Sequence, residues 1–183
     1  DWKSYYKNGQ ASSVYSYKYG KRNKEYTSHY EDGTLKIKTE KVEGVFIRKE
    51  YYESGRLQSE NQLKSGYFKG FLENGALEVE ANYKDDELSG AWKHYGENGA
   101  VEWLVSYKDG YRNGLYKQFY KNGDIKLEGE NEKDKKNGEE KRYLPNKVLE
   151  WKGNYSKDKL NKTWVKFDTN GEKVKKIKFK NGV

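Results

Sequence analysis

The sequence predicts an all-β protein: an elongated, single-layer antiparallel sheet of about eight stacked β-hairpin repeats. Three observations predict it. Turn dipeptides recur at a nearly fixed interval, large rings recur at fixed distances from them, and no stretch carries a helical period long enough for a helix.

The turn dipeptides are Asn8-Gly9, Asp32-Gly33, Ser54-Gly55, Asn74-Gly75, Asn98-Gly99, Asn122-Gly123 and Asn170-Gly171, spaced by 24, 22, 20, 24, 24 and 48 residues. The double interval contains Asn146-Lys147 at the expected place, with the glycine replaced and Pro145 before it. Asn-Gly between short aromatic and β-branched runs is the strongest local hairpin signal and predicts a two-residue type I′ turn with positive φ at both positions. The chain reads as one repeat domain, residues 1–183, with turn centres near 9, 33, 55, 75, 99, 123, 147 and 171. Asp1-Trp2-Lys3 already lies inside a repeat, so the first repeat reads as incomplete, its edge prone to fray, to swap strands or to pair with a second copy.

Seven residues before the turn glycine stand Trp2, Tyr26, Phe68, Trp92, Tyr116 and Trp164, with Arg48 and Glu140 as exceptions that predict local irregularity. Four before it stand Tyr5, Tyr51, Phe71, Tyr95, Phe119 and Phe167, and Tyr143 relative to Lys147. An aliphatic follows the turn by two residues at Leu35, Leu57, Leu77, Val101, Ile125 and Leu149. Tyr17, Leu63, Tyr83, Tyr107, Tyr155 and Phe179 follow it by eight. A second turn, as in Asp109-Gly110-Tyr111-Arg112-Asn113-Gly114, reads as longer and as the place where the two shorter repeats lose residues. Sixteen or so strands about 4.8 Å apart would make a twisted rod on the order of 70 Å long.

Only 33% of the residues are hydrophobic and the mean hydropathy is −1.31, thin material for a closed globular core. Disorder is the rival reading for so polar a chain, but 18 Tyr, 6 Phe and 5 Trp at regular places argue against it. The net charge of +8 and the pI near 9.2 favour acidic partners, although Lys and Glu alternate along most of the chain as on an ordinary solvated surface. There is no cysteine, so no disulfide, thiolate metal site or cysteine nucleophile arises. No apolar run approaches the ~20 residues that span a bilayer as a helix. Methionine is absent altogether, which a removed signal peptide or a trimmed chain would explain.

Strand alternation puts Trp92 with His94, and Tyr116 with Gln118 and Tyr120, on one face. Since one sheet layer cannot cover both its faces, a ring row of Tyr26, Phe68, Trp92, Tyr116, Tyr120 and Trp164 is the candidate partner-binding surface. The plainer reading is that these rings pair across strands and serve folding. His29 and His94 do not pair, no metal-ligand spacing or cofactor fingerprint appears, and no nucleophile, base or carboxylate pair is singled out. Lys173, Lys175, Lys176, Lys178 and Lys180, opposed only by Glu172, could meet an anionic membrane or protect an edge strand. Interleaved Glu argues against nucleic acid.

The pattern resembles the bacterial variant of the MORN repeat, which runs approximately Tyr-Tyr-x-Asn-Gly-x-Leu, then Tyr-Lys-x-Gly, then Gly-x-Trp. Tyr83-Lys84 through Gly90-Ala91-Trp92 to Asn98-Gly99, and Tyr107-Lys108-Asp109-Gly110 through Tyr116 to Asn122-Gly123, carry the likeness best, and it covers nearly the whole chain. The resemblance to the antitoxin-like, YwqK-type group implies a non-catalytic module that binds, and neutralises, a partner polypeptide. The alternative is a secreted or cell-envelope protein that contacts acidic lipid or a host surface, a setting slightly favoured over the cytoplasm.

Overall fold

A computed structural model of the chain describes residues 1–180 and 182. Among the described residues there are 18 strands and no helix, and they fall into two compact units, Asp1–Asp86 and Glu87–Val183. The first unit holds β1 (Trp2–Tyr5), β2 (Ala11–Lys18), β3 (Lys21–His29), β4 (Leu35–Val42), β5 (Val45–Tyr51), β6 (Leu57–Gln62), β7 (Gly66–Phe71) and β8 (Leu77–Lys84). Each pairs antiparallel with its neighbour in the chain. The second unit holds β9 (Glu87–Leu88), β10 (Gly90–Tyr95), β11 (Val101–Lys108), β12 (Tyr111–Phe119), β13 (Ile125–Glu132), β14 (Lys135–Lys136), β15 (Gly138–Tyr143), β16 (Leu149–Ser156), β17 (Lys159–Phe167) and β18 (Lys173–Phe179). From β10 to β18 the strands again pair antiparallel in chain order, with β14 and β15 both on β13. The architecture is thus the all-β, open antiparallel sheet of successive hairpins that the periodicity predicts.

The two kinds of turn are reversed from the expectation. At Asn8-Gly9 the Gly9 N–H donates to the Tyr6 carbonyl at 3.0 Å and the Tyr6 N–H to the Gln10 carbonyl at 2.8 Å, while only Gly9 has positive φ. This is a three-residue loop, a type I turn closed by a left-handed residue and a bulge. Asparagine is there for its side chain: Oδ1 of Asn8, Asn74 and Asn98 accepts the backbone N–H two residues on, and Asp32 does the same for Thr34. The Asn146-Lys147 loop keeps this geometry with Lys147 at φ +66° and Pro145 in the position whose φ proline favours.

The two-residue loops with paired positive φ stand at the opposite end of the hairpins, at Tyr19-Gly20, Glu43-Gly44, Asp109-Gly110, Lys133-Asp134 and Lys157-Asp158. The extra length seen there in sequence lies in the strand that follows. Val105 pairs with Tyr116 but Tyr107 with Arg112, so β12 carries two additional residues around Gly114. Between β4 and β5 the register runs without a shift, which accounts for the 22-residue repeat. That repeat contains Arg48, and its ladder is regular, contrary to the irregularity expected there.

Both turn edges are fastened from repeat to repeat. The hydroxyls of Tyr6, Tyr30, Tyr52 and Tyr120 donate to the carbonyls of His29, Tyr51, Phe71 and Tyr143. At the other edge the N–H groups of Asp134 and Asp158 donate to the carbonyls of Arg112 and Lys136. Registers inside each unit then sort the side chains onto two faces. One bears charge ladders: Lys49 lies 3.4 Å from Glu60 and 3.7 Å from Glu40, and in the second unit Lys117 lies 3.3 Å from Glu128 and Lys152 3.0 Å from Glu139. The other bears the rings.

Candidate functional site: a polar cluster and a hollow on the ring face

On the ring face of the second unit the register places Val105 opposite Tyr116, Tyr116 opposite Gly129, and Glu140 opposite Gly153. The glycines make room for rings to lie flat. A β-carbon at Gly129 would come within 2.7 Å of the Tyr116 ring, and one at Gly153 within 2.4 Å of several Trp164 ring atoms. Tyr116 and Trp164 are therefore buried, each 5% exposed, rather than open as a free row would require.

Glu140 stands between these two rings at the place where other repeats carry one, and it is 1% exposed. Its Oε2 accepts from the Tyr116 hydroxyl and, at 2.6 Å, from Lys136 Nζ; its Oε1 accepts from Arg142 Nε at 2.9 Å. Burial pushes its carboxyl up, but the bonds from Lys136, Tyr116 and Arg142 together outweigh it and hold the group below the ordinary carboxylate value. Burial, reinforced by the carboxylate, drives the Tyr116 hydroxyl far above the ordinary phenol value. Lys136 Nζ also lies 5.3 Å and 4.9 Å from the ring centres of Tyr116 and Tyr155, and Arg142 lies 5.6 Å from that of Trp164. Glu140, an exception to the ring column from which irregularity is expected, is the centre of a satisfied polar network. Arg48 does the corresponding work in the first unit, donating to the Tyr26 hydroxyl at 2.9 Å and to Glu50 at 2.8 Å.

Beside the cluster opens a hollow of about 280 Å³ lined by Trp103, Val105, Leu127, Tyr116 and Asn131, with the pairs Arg112 and Asp134, and Lys136 and Asp158, on its rim. Asp134 Oδ1 accepts from the Arg112 N–H and Nε, and Asp158 Oδ1 from the Lys136 N–H, so the rim acids also fix the backbone. The hollow has an apolar floor and both signs of charge at its mouth, suiting it to an uncharged or amphipathic group.

Of the other ring residues singled out in sequence, Tyr26, Phe68 and Trp92 are half-buried. Phe68 packs edge-on against Tyr83, and Trp92 stacks on His94. Tyr120 is the inter-repeat fastener already described. Lys173, Lys175, Lys176, Lys178 and Lys180 are exposed, and none makes an ion pair among the described residues. No group of three or more metal-ligating side chains occurs among the described residues. Sequence reasoning missed Trp103, Leu127 and Asn131; the signal for Asn131 was there, since it falls eight residues after Gly123 where Tyr107 and Tyr155 follow their turns.

A family model described as a MORN repeat variant matches residues 47–65, 64–85 and 112–130. A search of the curated proteins finds no match. Each matched stretch contains one of the three-residue turns with strand on both sides, at Ser54-Gly55, Asn74-Gly75 and Asn122-Gly123. These three stretches thus match the MORN repeat variant, each as a β-hairpin around its turn glycine.

Proposed function

We propose that the chain is a non-catalytic binding module that holds a partner polypeptide on the ring face of its sheet. The observation that carries this reading is the contrast between the two faces of the second unit. On one, Lys117, Glu128, Lys141, Glu139 and Lys152 form a ladder of ion pairs with one another. On the other, an apolar-floored hollow stays open among a few convergent polar groups, the composition of a binding site. MORN-type repeats are generally modules that bind proteins or membranes, and the net charge of +8 favours an acidic partner. Within this reading, the likeness to bacterial antitoxin-like proteins makes a toxin polypeptide the specific partner class.

A photo-crosslinking residue at Arg112 on the ring face, compared with one at Lys141 on the charge-ladder face, tests the proposal in cells of the source organism. A discrete adduct from the Arg112 position alone is expected; no adduct, or the same adduct from both, overturns it. Relief of growth inhibition when the captured protein is co-expressed with this chain tests the toxin assignment.

A second reading rests on the unpaired lysines of β18 and Lys180, which form a cationic edge suited to acidic lipid. Co-sedimentation with phosphatidylserine vesicles should fall sharply when the five lysines become Gln. No binding, or binding unchanged by the substitutions, removes this reading.

A further inference from the structure

We propose that the hollow at Asn131 is an acceptor for one tyrosine side chain of the bound polypeptide, an inference that rests on the protein-binding reading above. The backbone around Asn131 is built as it is around the tyrosines of the adjoining repeats. Tyr107 pairs with Gly90 and Arg112, Tyr155 with Gly138 and Leu160, and Asn131 with Gly114 and Lys136. The same frame therefore lacks one ring at Asn131, and the hollow occupies that place. Its volume, about 280 Å³, lies just below the range of small-molecule sites, which begins at about 300 Å³, and so fits one side chain rather than a length of chain.

The lining states the chemistry of the occupant. Trp103, Val105 and Leu127 give an apolar floor for a ring. Asn131 lines the same hollow, is 8% exposed, and its side-chain amide makes no hydrogen bond among the described residues. The amide opens onto the hollow rather than being sealed off, so an occupant displaces the solvent it meets there, and a phenol hydroxyl, which both donates and accepts, replaces that solvent where phenylalanine or leucine leaves the amide unpaired. The cations at the rim suit a ring face. Arg22, which holds in its repeat the place of Arg112, stands 4.3 Å and 5.1 Å from the ring centres of Tyr15 and Tyr26. Asp134 and Asp158 on the rim set the site against a phosphorylated ring. An aromatic anchor in a well-packed pocket is also the usual form of an interface hot spot.

The chain has five tryptophans, so its indole N–H signals report the site directly. The full chain is titrated with N-acetyl-tyrosinamide, and in parallel with the phenylalanine amide and with phosphotyrosine. A saturable shift confined to the Trp103 indole is expected, several-fold weaker with the phenylalanine amide and absent with phosphotyrosine. Asn131→Tyr should fill the hollow from within, abolishing the shift while keeping the thermal midpoint at or above that of the parent. No Trp103 shift, an equal response to phenylalanine, a stronger one to phosphotyrosine, or a shift that survives N131Y in a folded chain overturns the proposal. Should N131Y not fold, the Trp103 selectivity and the ratio of tyrosine to phenylalanine responses on the parent chain decide it. The ring-face adduct separates the two readings: an undiminished adduct in N131Y removes the tyrosine pocket and leaves protein binding standing, whereas no adduct in the parent removes protein binding.

Discussion

Glu140 takes the place of a ring and needs three donors to be held there. Removing its charge leaves Tyr116, Lys136 and Arg142 one neutral carbonyl oxygen in place of the two carboxylate oxygens they share, although the two cations reach solvent and recover part of the loss. Glu140→Gln should cost about 1–3 kcal/mol at neutral pH, read by chemical denaturation. Because the folded-state carboxyl lies below its ordinary 4.5, its contribution is complete above that value and is lost as the pH falls through the folded-state value. The gap between parent and variant should therefore close in acid; a gap that stays constant would show that the carboxylate is not held as described. Phenols move the opposite way. The hydrogen bond to Glu60, with burial, pushes Tyr67 up to about 12, and burial with the bond to Glu128 takes Tyr143 to about 12, with Tyr116 higher still. Raised values stabilise the fold below pH ~10 and release that stability as the pH climbs through the folded-state values. In an absorbance titration of the 18 tyrosines, these should ionise last, and Tyr67→Phe should remove one late phenol.

At the scale of the hairpin, one device recurs: a tyrosine just before the loop reaches the carbonyl of the next repeat. Leu144 holds this position before the Pro145 loop and has no hydroxyl to donate. Leu144→Tyr should add one such bond, toward Phe167, and raise stability by roughly 0.5–1.5 kcal/mol. An unchanged denaturation midpoint would mean that the fasteners do not bear on stability. The reversal of the turn types belongs to this scale as well. Asn-Gly serves both the type I′ loop and the three-residue loop, because a left-handed glycine and a side-chain acceptor are useful in each. Which forms depends on how many residues the flanking strands leave between their last pair, and that is settled by the pairing of neighbouring repeats.

At the scale of the whole chain, the strands of each unit pair with those next to them in sequence, β13 with both β14 and β15, so protection should follow local burial rather than rise and fall together. In the first unit the buried positions include Thr39, Ile47 and Ala81 while β1 is exposed throughout; in the second they run from Tyr116 to Trp164 while β18 is largely exposed. Hydrogen exchange should accordingly be fastest in β1 and β18, and slowest in β4 to β8 of the first unit and β12 to β17 of the second. Uniform exchange within either unit would contradict a nearest-neighbour sheet. The charge ladders on the face opposite the rings give an ordered account of the alternating Lys and Glu, which composition alone presents as an ordinary solvated surface.

The sequence by itself determined the repeat, the all-β class and the place of each hairpin, because turn glycines and ring positions are local signals repeated in register. It also marked Arg48 and Glu140 as departures, yet as faults, since a charge in a ring column has no visible partner until the strands are paired. Tertiary structure made them centres of hydrogen bonding, with partners 22 and 24 residues away. The same holds for two of the three ring-less places eight residues after a turn, the third being Leu63. Lys41 and Asn131 look alike as gaps, but the amine of Lys41 lies over the Phe46 ring while Asn131 faces a hollow. Whether a missing side chain becomes a cavity depends on what its neighbours across the sheet are long enough to cover, and only the folded register brings those neighbours together.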